Sequence, residues 1–286
     1  MSLTLLPPSS ILITGCSTGI GYQCAQQLHK MGYNVIATCR KEADVQRLQK
    51  EGFDCFQLDL ASSDSIQIAL KQILQHSNGR IDALFNNGAF GLPGAVEDLT
   101  REAMEYQFQT NVFGTQELTN LIVPIMRQQG GGKIIYNSSI LGFAAMPYRG
   151  AYNASKFAIE GFADTLRLEV KQDNIQVSLI EPGPIISDFR KNAFAQFTQW
   201  ISIENSAHKN SYQAMVDRLE TVGPSVPFTL PPEAVTKCVI HALQKPKAKI
   251  RYRVTVPTIL FSVLKRLLPN QLLDLLLIKA GGEGKR

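Results

Sequence analysis

Cysteine and histidine are scarce in this sequence, and neither residue forms a cluster. Five cysteines and four histidines are scattered along 286 residues. An odd number of cysteines without a CxxC pair argues against a disulfide framework, and the lack of neighbouring histidines argues against a zinc site. We therefore expect this protein to hold no metal.

Basic runs and a secretion signal are missing as well. The formal net charge is +5, but no run of Lys and Arg is interleaved with aromatic residues, so we expect no nucleic-acid partner. The N-terminal segment MSLTLLPPSS has no basic region ahead of a long apolar run. This argues against a signal peptide and favours a cytoplasmic protein.

The sequence has no uncharged apolar run long enough to cross a bilayer. Its most apolar segment, 254–280, is interrupted by Lys265, Arg266, Pro269 and Asp274, whereas a membrane-spanning helix needs about twenty consecutive apolar residues. We expect two short helices there, which cover the core or a subunit interface. Peripheral contact with a membrane surface is the alternative interpretation.

Short apolar runs rich in β-branched residues alternate with stretches of helical periodicity over residues 1–190. Strands that are apolar throughout and separated by helices are typical of a parallel sheet covered on both faces. Right-handed crossovers then build a doubly wound, Rossmann-type α/β sheet, and we expect a single domain over residues 1–286. The predicted strands begin at Ile11, Asn34, Phe53, Ile81, Gly132 and Ile175, and the predicted helices span 20–31, 43–50, 62–76, 101–129 and 151–171.

The alternation stops after Arg190. An aromatic-rich stretch, KNAFAQFTQWISIENSAHKNSYQAM, is followed by the proline-rich VGPSVPFTLPPEAV. We predict that residues from about 190 to 230 form an insertion over the carboxyl edge of the sheet, where it acts as an aromatic substrate lid.

A glycine-rich loop, TGCSTGIG, follows the first predicted strand directly and leads into a helix. This context is typical of a dinucleotide-binding loop, in which the helix N-terminus points at a pyrophosphate. Gly15 permits the tight turn, Gly19 lets the backbone approach the phosphates, and Gly21 lets the helix pack against the strand. Ser17 and Thr18 add hydroxyl groups to the same loop.

The end of the second strand predicts which dinucleotide binds. An acidic residue there holds the ribose hydroxyl of NAD, but the segment VIATCRK has no Asp or Glu before Glu42. Arg40, beside Lys41, instead provides a guanidinium for the additional phosphate of NADP. Asp59 is a candidate contact for the adenine. A loop with two solvated cations is the alternative interpretation.

Seven short motifs occur in a characteristic order. Their order and spacing resemble those of the short-chain dehydrogenase/reductase family, over the chain to about Pro184. The C-terminal segment is also similar to retinol-dehydrogenase-like members and to bacterial NADP-dependent aldehyde reductases. The motifs are TGCSTGIG from Thr14, DL at Asp59, NNGA from Asn86, NVFG from Asn111, YNSS from Tyr136, YNASK from Tyr152 and EPGPI from Glu181.

The resemblance implies a catalytic tetrad of Asn111, Ser139, Tyr152 and Lys156. Ser139 is chosen over Ser138 because it stands thirteen residues before Tyr152, as in the family. Carbonyl reduction needs a proton on the oxygen, and a phenol with an ordinary pKa of about 10 is a usable acid. Lys156 lies one turn along the same helix face as Tyr152, so we expect its charge to lower the phenol pKa.

The other roles also come from the resemblance. Ser139 would donate to the substrate oxygen as charge develops there, Asn111 would support a water in a proton relay, and Lys156 would hold the nicotinamide ribose. The motif NNGA has Gly88 and Ala89 in the reverse of the usual order, and Ser187 stands where Thr is frequent. The predicted cofactor-binding residues are Thr14, Gly15, Ser17, Thr18, Gly19, Ile20, Gly21, Arg40, Asp59, Leu60, Asn87, Gly88, Tyr152, Lys156, Pro182, Gly183, Ile185 and Ser187.

Apolar residues surround the predicted catalytic serine in the sequence. We predict that Ser139, Phe143, Met146 and Phe189 contact the substrate, which would be a small apolar carbonyl or alcohol. The expected reaction is NADPH-dependent reduction of medium-chain, long-chain or isoprenoid aldehydes, including retinal. A hydroxysteroid or other ketone is the alternative substrate.

Two other functional classes compete with this enzyme. A non-catalytic NADPH-binding sensor would not need a paired Tyr and Lys, and an extended sugar-nucleotide epimerase would need a larger substrate domain than this chain supplies. The family resemblance further implies a homo-oligomer, either a dimer or a tetramer.

Overall fold

One parallel sheet of seven strands forms the centre of the computed structural model, which describes residues 3–220, 223 and 226–282. The strands are β1 Ser10–Ile13, β2 Asn34–Cys39, β3 Asp54–Gln57, β4 Ala83–Asn86, β5 Gly132–Asn137, β6 Ile175–Glu181 and β7 Arg251–Arg253. Their order across the sheet is β3-β2-β1-β4-β5-β6-β7, and every neighbouring pair is parallel. The predicted doubly wound, Rossmann-type sheet is confirmed. In such a sheet the crevice at the carboxyl ends of β1 and β4, where the strand order reverses, is the expected ligand site.

Helices cover both faces of this sheet. Strand β1 shows why its residues are apolar throughout: Ile11 and Ile13 pack in the cluster on one face, and Leu12 packs in the cluster on the other. The described helices are α1 Gly19–Lys30, α2 Glu42–Lys50, α3 Ser63–His76, α4 Arg101–Phe108, α5 Thr115–Gln128, α6 Gly150–Glu169, α7 Phe189–Trp200, α8 Lys209–Glu220, α9 Glu233–Gln244, α10 Val256–Leu267 and α11 Asn270–Ala280. Helices α1 and α9 lie on the first face, and α3, α5 and α6 lie on the second.

The helix predicted over 101–129 is not a single regular helix. A six-residue π-helical segment, Gln109–Gly114, separates α4 from α5. A Cβ atom at Gly114 would lie 1.7 Å from the carbonyl oxygen of Leu60, so the backbone approaches the segment after β3 too closely for any side chain. Segments of π-helix are often found at functional sites, and this one contains Asn111.

Helices α7 and α8 occupy the region predicted as a lid, of which residues 221, 222, 224 and 225 lie outside the described residues. They pack against each other and against the segment after β4, with Phe197 and Tyr212 fully buried. Much of the aromatic content therefore serves the core of this region, and its role as a lid over the substrate stays a prediction.

Two helices occupy the apolar C-terminal segment, as expected. The inner faces of α10 and α11 pack on Ile140, Leu141 and Ala144, which follow β5. Among the described residues, every helix is too short or too polar to cross a membrane.

Candidate active site

The glycine-rich loop adopts the backbone that its sequence predicts. Gly15 and Gly19 have positive φ angles of 71° and 60°, a region that favours glycine. A Cβ atom at Gly21 would lie 2.2 Å from the carbonyl oxygen of Gly15, so the first turn of α1 packs directly on the loop. The backbone N–H groups at the start of α1 therefore lie at the carboxyl end of β1, where they can bind an anion.

A network of hydrogen bonds joins this loop to the NNGA segment. The Thr14 hydroxyl accepts from the backbone N–H groups of Asn87 and Gly88, at 2.9 and 2.8 Å, and the Asn87 amide donates to the carbonyls of Thr14 and Gly15. A Cβ atom at Gly88 would lie 2.9 Å from Leu60 Cδ1. A side chain at position 88 would therefore need the Leu60 side chain to shift, so glycine fits this position without rearrangement.

Two cations, Arg40 and Arg47, lie near the glycine loop. Arg40 follows β2 and is exposed, and its Nη1 donates to the Tyr106 hydroxyl at 3.4 Å. Arg47 was not predicted from the sequence, yet its Nη2 donates to the carbonyl of Ser17 at 2.6 Å. Its ion pair with Glu51 at i,i+4 is typical of an ordinary surface pair, so no local signal indicated that Arg47 reaches the loop.

Tyr152 and Lys156 project from the start of α6 toward the end of β5. The Lys156 ammonium is buried and donates to the carbonyl of Asn137 at 2.7 Å. It lies 5.7 Å from the centre of the Tyr152 ring. Burial lowers the pKa of Lys156 to about 8, and the charge of Glu160 opposes that shift.

The pKa of Tyr152 moves in the direction opposite to our expectation. Burial raises it, because a phenolate is poorly solvated in this half-buried position, and a hydrogen bond with Ser139 opposes part of the rise. Tyr152 is therefore held as the neutral phenol, which is the form that donates a proton. Ser139 lies within hydrogen-bond reach of it, so two members of the predicted tetrad meet.

Asn111 connects the π-helical segment to the same site. Its Nδ2 donates to the carbonyl of Phe90 at 2.9 Å and to the Ser155 hydroxyl at 3.1 Å, while its Oδ1 accepts from the N–H of Phe90. Ser155 in turn donates to the carbonyl of Tyr152. The Asn111 side chain thus braces the segment after β4 against the helix of Tyr152; its predicted role in a water relay stays a prediction.

The segment after β6 closes over the glycine loop. A Cβ atom at Gly19 would lie 3.1 Å from Ser187 Cβ, and one at Gly183 would lie 2.1 Å from Thr255 Oγ1. Ile185 pairs with Leu230 through an isolated β-bridge. This segment, which contains the predicted residues 182–187, is therefore held between the glycine loop and the start of α10.

The predicted substrate residues gather around Tyr152. The Phe189 ring lies 5.3 Å from the Tyr152 ring, measured between centroids. Phe143, Met146 and Tyr152 each pack against the cluster beneath α10 and α11. Apolar side chains thus lie beside the Tyr152 ring and along the cluster that it contacts.

A buried charge network behind Lys156 was not predicted from the sequence. Arg251 on β7 pairs with Glu160 of α6 at 2.9 Å and with Glu181 at the end of β6 at 3.0 Å. Both glutamates are buried, and burial raises the pKa of Glu181 to about 7. The network connects the helix of the Tyr–Lys pair to the segment that follows β6.

We predict that, as the pH is raised, a Glu160→Gln variant loses its activity at a lower pH than the wild-type protein does. The Glu160 carboxylate raises the pKa of Lys156, so its loss lowers that pKa and the ammonium deprotonates earlier as pH rises. The alkaline limb of the kcat/KM profile should move down by about one pH unit. Glu169→Gln, an exposed position on the same helix, is the control, and an unmoved limb in Glu160→Gln contradicts the prediction.

Comparison with known proteins places this site in a family. The model of the short chain dehydrogenases matches residues 9–197. The chain belongs to the short-chain dehydrogenase/reductase family. It is 40% identical over 269 residues to the uncharacterized oxidoreductase YbbO of Escherichia coli strain K12, covering 94% of this chain and 93% of YbbO.

Two further members of the short-chain dehydrogenase/reductase family resemble the chain. Human retinol dehydrogenase 8 is 37% identical over 199 residues, which is 66% of this chain and 63% of that protein. A short-chain dehydrogenase/reductase from Burkholderia phymatum, solved in complex with NAD, superposes with a TM-score of 0.76 over 91% of this chain and 93% of its own, at 21% identity. The fold and the family are thereby shown.

Proposed function

We propose that this oxidoreductase uses NADPH to reduce medium-chain, long-chain or isoprenoid aldehydes to alcohols. The observation that carries the proposal is the meeting of Tyr152, Ser139 and Lys156 beside the glycine loop, with apolar side chains around the phenol. The likeness to retinol dehydrogenase 8 supports a long apolar substrate.

The glycine loop fits a dinucleotide. The cradle at Gly15 and Gly21 has no room for a Cβ atom, and the N-terminus of α1 provides N–H donors for a pyrophosphate. In this proposal Arg40 holds the additional phosphate of NADP, and Lys156 and the segment 182–187 hold the nicotinamide end. The bound cofactor supplies the hydride.

The remaining chemistry belongs to the side chains. The neutral Tyr152 hydroxyl donates a proton to the substrate oxygen while Ser139 donates a hydrogen bond to that oxygen, and both stabilise the charge that develops there. Lys156 then stabilises the phenolate and assists its reprotonation. Asn111, through Ser155, keeps the start of α6 in place during these steps.

Oxidation of NADPH in the presence of saturated aldehydes from hexanal to hexadecanal, retinal, polar aldehydes and ketosteroids tests the proposal. We expect turnover of the long apolar aldehydes and preference for NADPH over NADH. Turnover of ketosteroids, with no turnover of any aldehyde, would instead assign a ketone as the substrate. NADPH binding without any turnover would favour the non-catalytic sensor.

A Phe189→Ala variant tests the apolar wall. Removal of this ring should lower kcat/KM for dodecanal about tenfold, because the alkyl chain loses its contact, and should affect hexanal less. Measurement of both aldehydes in one preparation provides the internal control. Equal losses for the two chain lengths would contradict the assignment of Phe189 to the substrate wall.

Self-association is a further part of the proposal. Exposed apolar side chains lie on α6 and in the π-helical segment that leads into α5, among them Phe113, Phe157, Phe162 and Leu168. Such side chains support a homo-oligomer, a dimer or a tetramer, formed through these helices.

A further inference from the structure

The outer face of helix α10 is apolar although it is exposed. A helix on the surface of a globular domain normally turns its polar residues outward, but five of the seven exposed side chains of α10 are aliphatic and recur with helical spacing. Helix α11 adds four more exposed aliphatic side chains. We call these exposed residues of α10 and α11 the C-terminal apolar surface, which consists of Val256, Ile259, Leu260, Val263, Leu267, Leu272, Leu275, Leu276 and Ile278.

The inner faces of the same helices are already occupied. Phe261, Leu273 and Leu277 are buried against the segment that follows Ser139. The outward leucines therefore make no contribution to that core; Leu260 is 51% exposed and Leu275 is 63% exposed. Patches of this kind mark a binding surface.

The charges beside the C-terminal apolar surface are almost all positive. Lys265, Arg266 and Lys279 are exposed, and Asp274 is the one acidic residue in the sequence from 256 to 280. In a two-fold contact between two copies the same patch faces itself, so these cations would lie against their own counterparts. An anionic lipid surface supplies both the apolar layer and the opposite charge.

We propose that α10 and α11 dock the protein on anionic membrane surfaces, with the C-terminal apolar surface lying at the level of the lipid headgroups. Helix α10 contacts the predicted substrate wall directly: Lys265 Nζ donates to the carbonyl of Phe143 at 2.6 Å. If the proposed function holds, an aldehyde dissolved in the bilayer meets the substrate wall at the membrane surface.

Sedimentation of the full chain with vesicles tests this inference without any substrate. We expect the protein to pellet with vesicles of phosphatidylcholine and phosphatidylglycerol, to bind pure phosphatidylcholine less, and to be released by added salt. The double variant Leu260→Glu/Leu275→Glu should bind the anionic vesicles at least about tenfold more weakly. Ile68→Glu, an exposed position on α3, should bind like the wild type.

Three results would overturn the inference: no pelleting with anionic vesicles, equal pelleting of the double variant, or a double variant that changes only the oligomeric state in size-exclusion chromatography. The last result would assign the surface to a second copy of the chain. Far-UV circular dichroism and thermal unfolding of both variants, compared with the wild type, show whether the fold is intact. Because pelleting needs no turnover, failure of the docking inference and failure of the proposed function are distinguishable.

Discussion

Replacement of Tyr152 by phenylalanine should reduce turnover of aldehydes by roughly 10²–10⁴-fold, which is the contribution typical of a general acid. The variant loses one hydroxyl and keeps the ring, so its contact with Phe189 and the packing of α6 are retained. NADPH binding should change little, since the glycine loop and Lys156 are untouched. Steady-state rates and a fluorescence titration of NADPH measure the two effects separately.

Tyr33→Phe is the matched control for this experiment. Tyr33 is buried, and its hydroxyl donates to the carbonyl of Leu5 far along the chain from the tetrad. The control should keep its turnover while it loses an equivalent group. Full activity in Tyr152→Phe would show that Tyr152 is not the proton donor.

Replacement of Arg40 by alanine should abolish the preference for NADPH over NADH. Hydrogen bonds to charged groups contribute about 1.5–3 kcal/mol, so the Kd of NADPH should rise roughly tenfold to a hundredfold. The Kd of NADH should change little, because NADH lacks the phosphate. The Arg40 side chain is exposed after β2, and its hydrogen bond to Tyr106 is long at 3.4 Å, so we expect the variant to fold normally.

Lys50→Ala, at the far end of α2, removes an exposed cation without touching the cofactor region. It should leave both dissociation constants unchanged, which separates a local contact from a change in net charge. Equal weakening of NADPH and NADH in Arg40→Ala would contradict the role of Arg40 as the selector.

Much of the site could be predicted because its signals are local. The glycine loop works through backbone freedom and a helix N-terminus, both of which depend on neighbouring residues. Tyr152 and Lys156 share one helix face by their spacing alone. The strand starts follow from apolar runs, which is why β1, β2 and β5 begin within one residue of their predicted positions.

The rest depends on contacts between distant segments. Sequence periodicity does not reveal the π-helical segment around Asn111, and the contact that excludes a side chain at Gly114 comes from Leu60, on a distant segment. Arg251 meets Glu160 and Glu181 only after β7 joins the edge of the sheet. The sequence also does not show that an apolar face of α10 is exposed, since aliphatic residues occur on both faces of this helix and the sequence does not show which face is buried.

The burial of Tyr152 also corrects the sequence-based picture of its acidity. Charge spacing predicted a lowered pKa, whereas loss of solvent raises the pKa of this phenol in the structure. Burial is the larger cause of this rise and the hydrogen bond with Ser139 opposes it, while the Lys156 ammonium donates to the carbonyl of Asn137. The phenol is consequently held in the form that donates a proton.

A single-turnover reaction with NADPH deuterated at its transferable position tests the central claim most directly. Wild-type protein mixed with this cofactor and dodecanal should yield dodecanol that carries the deuterium, and Tyr152→Phe should yield almost none in the same time. If wild-type protein saturated with NADPH leaves dodecanal, retinal and ketosteroids all unreacted, the assignment of an enzymatic function is contradicted. The protein would then be a cofactor-binding protein without turnover.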